Sequence, residues 1–248
     1  MSGAEPFSAS GGKQGALVIH GFTGNPFSMR GVAKALAAAG LSVEAPLLPG
    51  HGTAVEDIVE TTWSDWSGAA EAAYSDLAAR CEKVAVVGLS MGGALSCWLG
   101  ERHEEIAGLV LVNPLVQSIP TDQVEAIEAL VDSGTELTDG IGSDIAEPGV
   151  AELSYGQTPL RPLLSLVSAA GEVRARLADI SCPVLLFSSR DDHVVPPENG
   201  DTLEAALGGR VERIWLDRSY HVATLDYDRD EIEKRATDFV LRVAGAGG

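Results

Sequence analysis

The chain has 248 residues, of which 45% are hydrophobic and 21% charged. That balance supports a large buried core and excludes intrinsic disorder, which needs low hydrophobicity together with high net charge. Seventeen basic against thirty-six acidic residues leave a net charge of −19, which repels phosphate backbones and anionic bilayers, so neither nucleic acid nor a membrane surface is an expected partner.

Residues 1–12 are small, polar and glycine-rich and read as a loose arm. No basic residue precedes Lys13 and no apolar h-region follows, so no secretory signal is expected. Residues 16–20 form a short continuous apolar run, the pattern of a strand buried on both faces. A helix is predicted over 26–39, stopped by Gly40, then a strand over 42–45, a Pro/Gly loop over 46–53 and a helix over 61–80. A strand at 84–87, a helix at 92–101 and a strand at 106–112 continue the series. It resumes with a strand at 184–187, a helix at 197–207, a strand at 211–216 and an amphipathic helix at 232–243.

Strands alternating with helices at this spacing make right-handed βαβ units, hence an α/β fold with a mainly parallel sheet and helices on both faces. The rhythm breaks between 113 and 180, where helical segments at 123–131 and 162–176 flank the piece Gly140-Ile141-Gly142-Ser143-Asp144. An insertion at the C-terminal ends of parallel strands sits over the crevice where such sheets bind ligands. We therefore expect a single domain, 1–248, with a core of 13–113 and 181–248 and a small cap over about 114–180. Cys81, Cys97 and Cys182 are odd in number and form no C-x-x-C, so neither a disulfide framework nor a zinc site is expected; reduced thiols place the chain in the cytoplasm. No apolar run approaches the roughly 18 residues of a membrane span, so no stable membrane insertion is expected.

Gly88-Leu89-Ser90-Met91-Gly92 follows the predicted strand at 84–87 directly and opens a helix. A serine there lies on a sharp turn that only glycine two residues to either side accommodates, and the turn lifts its hydroxyl above the sheet. The N–H of Met91 then stands at a helix N-terminus, aimed at whatever the serine attacks. A serine needs a base, and the base an orienting acid, both on loops after later strands. Two histidines lie that far downstream. His221 follows the last strand, where the base belongs, whereas His193 sits beside two aspartates where the acid belongs. The acid is Asp191 or Asp192, and Asp192 is preferred because the Val194-Val195-Pro196 run anchors it. His20-Gly21-Phe22-Thr23-Gly24 supplies the second oxyanion donor, the Phe22 N–H; His20 and His51 read as structural loop histidines.

The HGFTG, GLSMGG, SRDDHVVPP and SYHVATLD segments resemble the small bacterial carboxylesterase and monoacylglycerol lipase group of the α/β-hydrolases, over nearly the whole chain from Ala16 to Phe239. The resemblance implies Ser90 as nucleophile, His221 as base, Asp192 as acid, and Phe22 with Met91 as oxyanion donors. It further implies that Ile141 lines the acyl path and that Glu152 binds a glycerol hydroxyl. Leu163, Leu164 and Val167 offer further apolar lining.

The expected activity is thus hydrolysis of a small-molecule acyl ester, a monoacylglycerol above all, with no cofactor and no metal. Two alternatives stand beside it: an acyltransferase passing the acyl group to a sugar or glycerol hydroxyl, and a slow ligand-sensing α/β-hydrolase. No G-x-G-x-x-G follows the first strand, and neither G-x-x-x-x-G-K-[ST] nor H-E-x-x-H occurs, so dinucleotide, P-loop and zinc-protease chemistries have no candidate site.

Overall fold

The structure is a computed structural model that describes residues 1–140 and 142–245. Its main sheet contains β1 (Phe7–Ala9), β2 (Gln14–Ile19), β3 (Ser42–Ala45), β4 (Lys83–Leu89) and β5 (Gly108–Val112). Two more strands, β6 (Leu137–Asp139) and β7 (Gln157–Pro159), pair antiparallel in the cap, and β8 (Val184–Ser189) and β9 (Val211–Leu216) complete the main sheet. The order across that sheet is β1-β3-β2-β4-β5-β8-β9, with every neighbouring pair parallel except β1 with β3.

The apolar runs are continuous because each strand feeds two cores at once. Leu17, Ile19, Val86, Leu109, Leu111 and Leu186 belong to one buried cluster, while Ala16, Val18, Val87, Val110, Val112 and Phe187 belong to the other. Successive side chains point to opposite faces of a strand, so alternate residues serve opposite layers. The first layer holds α3 (Trp63–Ala78), α4 (Met91–Gly100), α6 (Leu160–Arg176) and α7 (Glu198–Ala206). The second is closed by α1 (Arg30–Ala38) and α8 (Arg229–Ala244). The predicted helix at 26–39 starts as a 3-10 turn, Pro26–Met29, whose first N–H groups face Asn25: its side-chain oxygen accepts from Phe27 N at 3.1 Å. A short helix, α2 (Val55–Val59), and the β6–β7 pair carry no periodic signal of their own length.

The N-terminal segment departs from expectation. Residues 1–12 are not a loose arm: Phe7–Ala9 is an edge strand registered on Val43–Ala45, Ala4 is fully buried, and Arg30 Nη2 donates to Gly3 O and Glu5 O. Three residues are too few to show a period. What orders them is a row of free main-chain groups on β3, which their own sequence cannot announce.

In the cap, α5 (Thr121–Asp132) packs on α6, and α6 runs on to bury Leu166 and Val173 in the core layer shared with α3 and α4. One helix therefore joins cap and core.

Glu101, just past α4, is a buried carboxylate whose Oε2 accepts from Arg102 Nη1 at 3.0 Å while its Oε1 has no partner among the described residues. Burial pushes its carboxyl up from 4.5 to about 7, outweighing Arg102. Between pH 4.5 and about 7 the folded chain holds a proton the unfolded chain has released, so this group's contribution falls as pH rises through that window. The ionised state costs on the order of 3 kcal/mol at pH 8. Glu101→Gln is therefore expected to match the parent in thermal melts at pH 4.5 and to melt about 6–12 °C higher at pH 8. Equal Tm differences at both pH values would contradict this account.

Candidate active site

The chain runs from β2 outward to β3 and then crosses to β4 on the other side of β2. Strand order reverses there, so the loops after β2 and β4 part and leave a crevice at the carboxyl ends of the strands. Ser90 occupies the turn from β4 to α4 with φ 56° and ψ −115°, a conformation an L-residue holds only at a cost of about 1–3 kcal/mol. Surrounding contacts impose it: Ser90 N donates to Val112 O at 3.0 Å and Leu115 N donates to Ser90 O at 3.2 Å. The flanking glycines are sterically required. A Cβ on Gly88 would meet Gly92 O at 2.1 Å, and one on Gly92 would meet Ile19 O at 2.2 Å.

His221 lies after β9, and its Nδ1 is 2.8 Å from Asp192 Oδ2. The other oxygen of Asp192 accepts from Val194 N at 2.9 Å and Val195 N at 2.7 Å, so its own loop orients the carboxylate. That carboxylate is buried, whereas Asp191 is exposed, so of the two it is Asp192 that contacts His221. His193 is largely exposed and directs Nδ1 at Asp144, away from any base role. Ser90 and His221 line one cavity of about 340 Å³, together with Phe22. The Phe22 and Met91 N–H groups have no protein acceptor among the described residues, so both are free to receive an oxygen.

The cavity is apolar on the cap side, walled by Leu115, Ile119, Ile127, Leu163, Leu166 and Val167. Leu164 is not among its lining; Leu166 takes that place, because residues three and four after Leu163 share its helix face and the next residue does not. Ile141 lies outside the described residues. Glu152 does face the cavity, close to His221 and Ser28. Burial raises its carboxyl above 4.5, partly offset by His221 and the Ser28 hydroxyl. Gly24 leaves room beside this carboxyl: a Cβ there would stand 2.6 Å from Glu152 Oε1, so the carboxyl would have to shift.

Three residues that the sequence reading passed over hold this site together. Asp144, from the cap, accepts from His221 N at 3.0 Å, His193 N at 3.1 Å and His193 Nδ1 at 2.8 Å, so one carboxylate joins the loops carrying His221 and Asp192. Asn113, after β5 and at φ 44°, donates to His221 O at 2.8 Å and Ser189 Oγ at 2.9 Å and accepts from Ser189 N at 2.8 Å. Asp226, fully buried, accepts from Tyr220 N at 2.9 Å and from the cap's Ala146 N at 2.7 Å and Glu147 N at 3.0 Å. The Asn113-Pro114 pair after a strand was a turn signal that could have marked the second of them. The two aspartates carried no local mark.

Comparison with known proteins agrees with this architecture. A family described as "Alpha/beta hydrolase family" matches residues 16–235. A thermostable monoacylglycerol lipase of Bacillus sp. (strain H-257) is 45% identical over 249 aligned positions, covering 99% of this chain and 97% of that protein. A carboxylesterase of Bacillus subtilis (strain 168) is 28% identical, covering 96% and 97% respectively. Among solved structures, one from work on the metagenome-derived lipolytic enzymes LipS and LipT superposes with a TM-score of 0.93 at 40% identity, over 98% of this chain and 99% of that one. The monoacylglycerol lipase of Paleococcus ferrophilus shares the fold, with a TM-score of 0.79 at 17% identity over 96% and 98% of the two chains. With the strand order, the strained serine turn and a family match spanning nearly the whole core, the chain belongs to the alpha/beta hydrolase family.

Proposed function

We propose that this protein is a serine ester hydrolase whose substrate is a monoacylglycerol. The carrying observation is a Ser90 hydroxyl and a carboxylate-braced imidazole opening into one largely apolar cavity whose lining includes the carboxyl of Glu152. In this reading His221 Nε2 takes the Ser90 proton as Oγ attacks the ester carbonyl. The N–H groups of Phe22 and Met91 stabilise the oxyanion. Imidazolium, steadied by Asp192, protonates the departing glycerol oxygen, and the acyl group stays on Ser90. Water enters, gives its proton to His221 and attacks the acyl carbonyl; Ser90 leaves with that proton and the fatty acid is released.

The lining supports a neutral alcohol. No lysine or arginine lines the cavity among the described residues, while Asp144 and Glu152 do. An anionic headgroup would be repelled there. The apolar wall suits the acyl chain and Glu152 a hydroxyl. No helix of the described residues is long and apolar enough to cross a membrane. The three cysteines are free thiols, in keeping with a reducing, cytoplasmic setting.

The test is a hydrolysis panel of monoacylglycerols, di- and triacylglycerols and simple esters of graded chain length, run on the parent and on Ser90→Ala. Monoacylglycerols are expected to show the highest kcat/KM, and Ser90→Ala to lose turnover on every substrate. Equal rates on triacylglycerols would refute the substrate assignment, and turnover surviving in Ser90→Ala would refute the mechanism. A glycerol acceptor added at high concentration distinguishes transfer, in which new ester outpaces free acid.

A further inference from the structure

We infer that Asp144, a cap residue, is a positioning residue for the base: its carboxylate sets where the His221 imidazole stands relative to Asp192, so the cap helps to build the triad that it covers. This rests on the serine-hydrolase reading above but not on the choice of a glycerol ester. The imidazole and its acid are carried on separate loops, after β9 and after β8. The 2.8 Å contact between His221 Nδ1 and Asp192 Oδ2 depends on those loops keeping their separation. Asp192 is aimed from within its own loop, through Val194 N and Val195 N. His221 is aimed from outside its loop.

Each main-chain N–H from 220 to 222 finds its acceptor elsewhere in the chain. Tyr220 N donates to Asp226 Oδ2 at 2.9 Å, His221 N to Asp144 Oδ2 at 3.0 Å and Val222 N to Asp144 O at 3.0 Å. Asp144 thus takes two of the three, one with its side chain and one with its main chain. The same Oδ2 accepts from His193 N at 3.1 Å, the residue directly after Asp192. One oxygen therefore ties the amide of the base to the amide beside the acid, and the two nitrogens cannot part further than those two bonds allow. Oδ1 accepts from His193 Nδ1 at 2.8 Å, which holds the plane of the carboxylate.

Asp144 can serve as a fixed point because its own segment is pinned on both sides. Ser143 Oγ accepts from Glu152 N at 2.8 Å, and Ala146 N and Glu147 N donate to the two oxygens of the buried Asp226 at 2.7 and 3.0 Å. The Asp144 side chain is only 10% exposed, although it comes from 77 residues away along the chain. It lines the cavity, yet three N–H groups already occupy its two oxygens, so its part is to hold the two loops rather than to bind the ester.

Three variants test this. Asp144→Ala leaves both amides without their acceptor, while the main-chain bond to Val222 stays. Asp144→Asn keeps an oxygen for the two amides and turns its NH2 toward His193 Nδ1, whose ring changes tautomer. Glu147→Ala is the control: it removes the ion pair between the same cap segment and Arg229 and touches neither amide. With p-nitrophenyl butyrate, kcat should fall about 10–100-fold in Asp144→Ala with KM within about threefold, and stay within about threefold of the parent in Asp144→Asn and Glu147→Ala. The rate at which a fluorophosphonate phosphonylates Ser90, losing fluoride as His221 takes the serine proton, should fall by the same factor as kcat. If Asp144→Ala does not fold, Asp144→Leu, which matches Asn in size and has no acceptor, takes its place. The positioning role would be overturned by a kcat within threefold of the parent in the Ala or Leu variant, by an Asn variant as impaired as either, or by a loss confined to KM. A Glu147→Ala variant as impaired as Asp144→Ala would overturn it too, and each of these outcomes leaves the serine mechanism standing. Absence of Ser90-dependent turnover in the parent would instead bring down both.

Discussion

Replacing His221 with alanine is expected to lower kcat by about 10³-fold or more while the protein melts within a few degrees of the parent. The size follows from what the imidazole does: without it the Ser90 hydroxyl meets the ester at its ordinary, very weak acidity, and only oxyanion donors and binding remain. The fold should survive because the loop around residue 221 is held chiefly through main-chain groups. Asp144 accepts its N–H and Asn113 donates to its C=O, and both bonds persist when the side chain is cut back. His193→Ala is the matched control, expected to keep kcat within about tenfold, since that ring is largely exposed and touches Asp144 and Tyr220. An inactive His193→Ala beside an active His221→Ala would reverse the assignment of the base.

Gly92→Ala is expected to abolish folding altogether, read as loss of soluble protein or of the cooperative melt. Its Cβ would stand 2.2 Å from Ile19 O and 2.7 Å from His20 O, at the end of β2, where Ile19 is held in register with Gly88 of β4 and has little room to withdraw. Relief would require pulling α4 off the sheet and with it the apolar contacts of Met91 and Leu95, a loss above the ~4–5 kcal/mol that marks exceptional substitutions. Gly171→Ala in α6 runs the opposite way. Nothing stands within 4 Å of its Cβ, so helix propensity alone should stabilise it by about 0.5–1 kcal/mol. A folded, soluble Gly92→Ala protein would mean that the turn relaxes more easily than its contacts indicate.

Much of this molecule was legible before any coordinates, for a local reason. Strands buried on both faces must read as apolar runs, and the order of runs and helical patterns then leaves few topologies open. The serine turn is partly local: Gly88 is demanded by Gly92 and Ser96 within the turn and its helix, whereas Gly92 is demanded by the carbonyls of Ile19 and His20 on the neighbouring strand. The positions of His221 and of the Asp192 loop followed from their places after the last two strands of the sheet.

What stayed hidden depends on partners far away along the chain. Phe7–Ala9 becomes a strand only because β3 offers an unpaired edge, and Asp144 matters only because folding brings the amides of His193 and His221 to it. A backbone N–H is the same on every residue but proline, so a carboxylate that will bind one has no recognisable mate in the sequence. His20 is a further instance: its residue type and place after β2 were plain, yet the bond that its Nε2 accepts from Leu48 N exists only where the loops after β2 and β3 meet. Local sterics wrote the elements and the nucleophile's turn; main-chain hydrogen bonds across the fold chose which polar side chains would hold the site in shape.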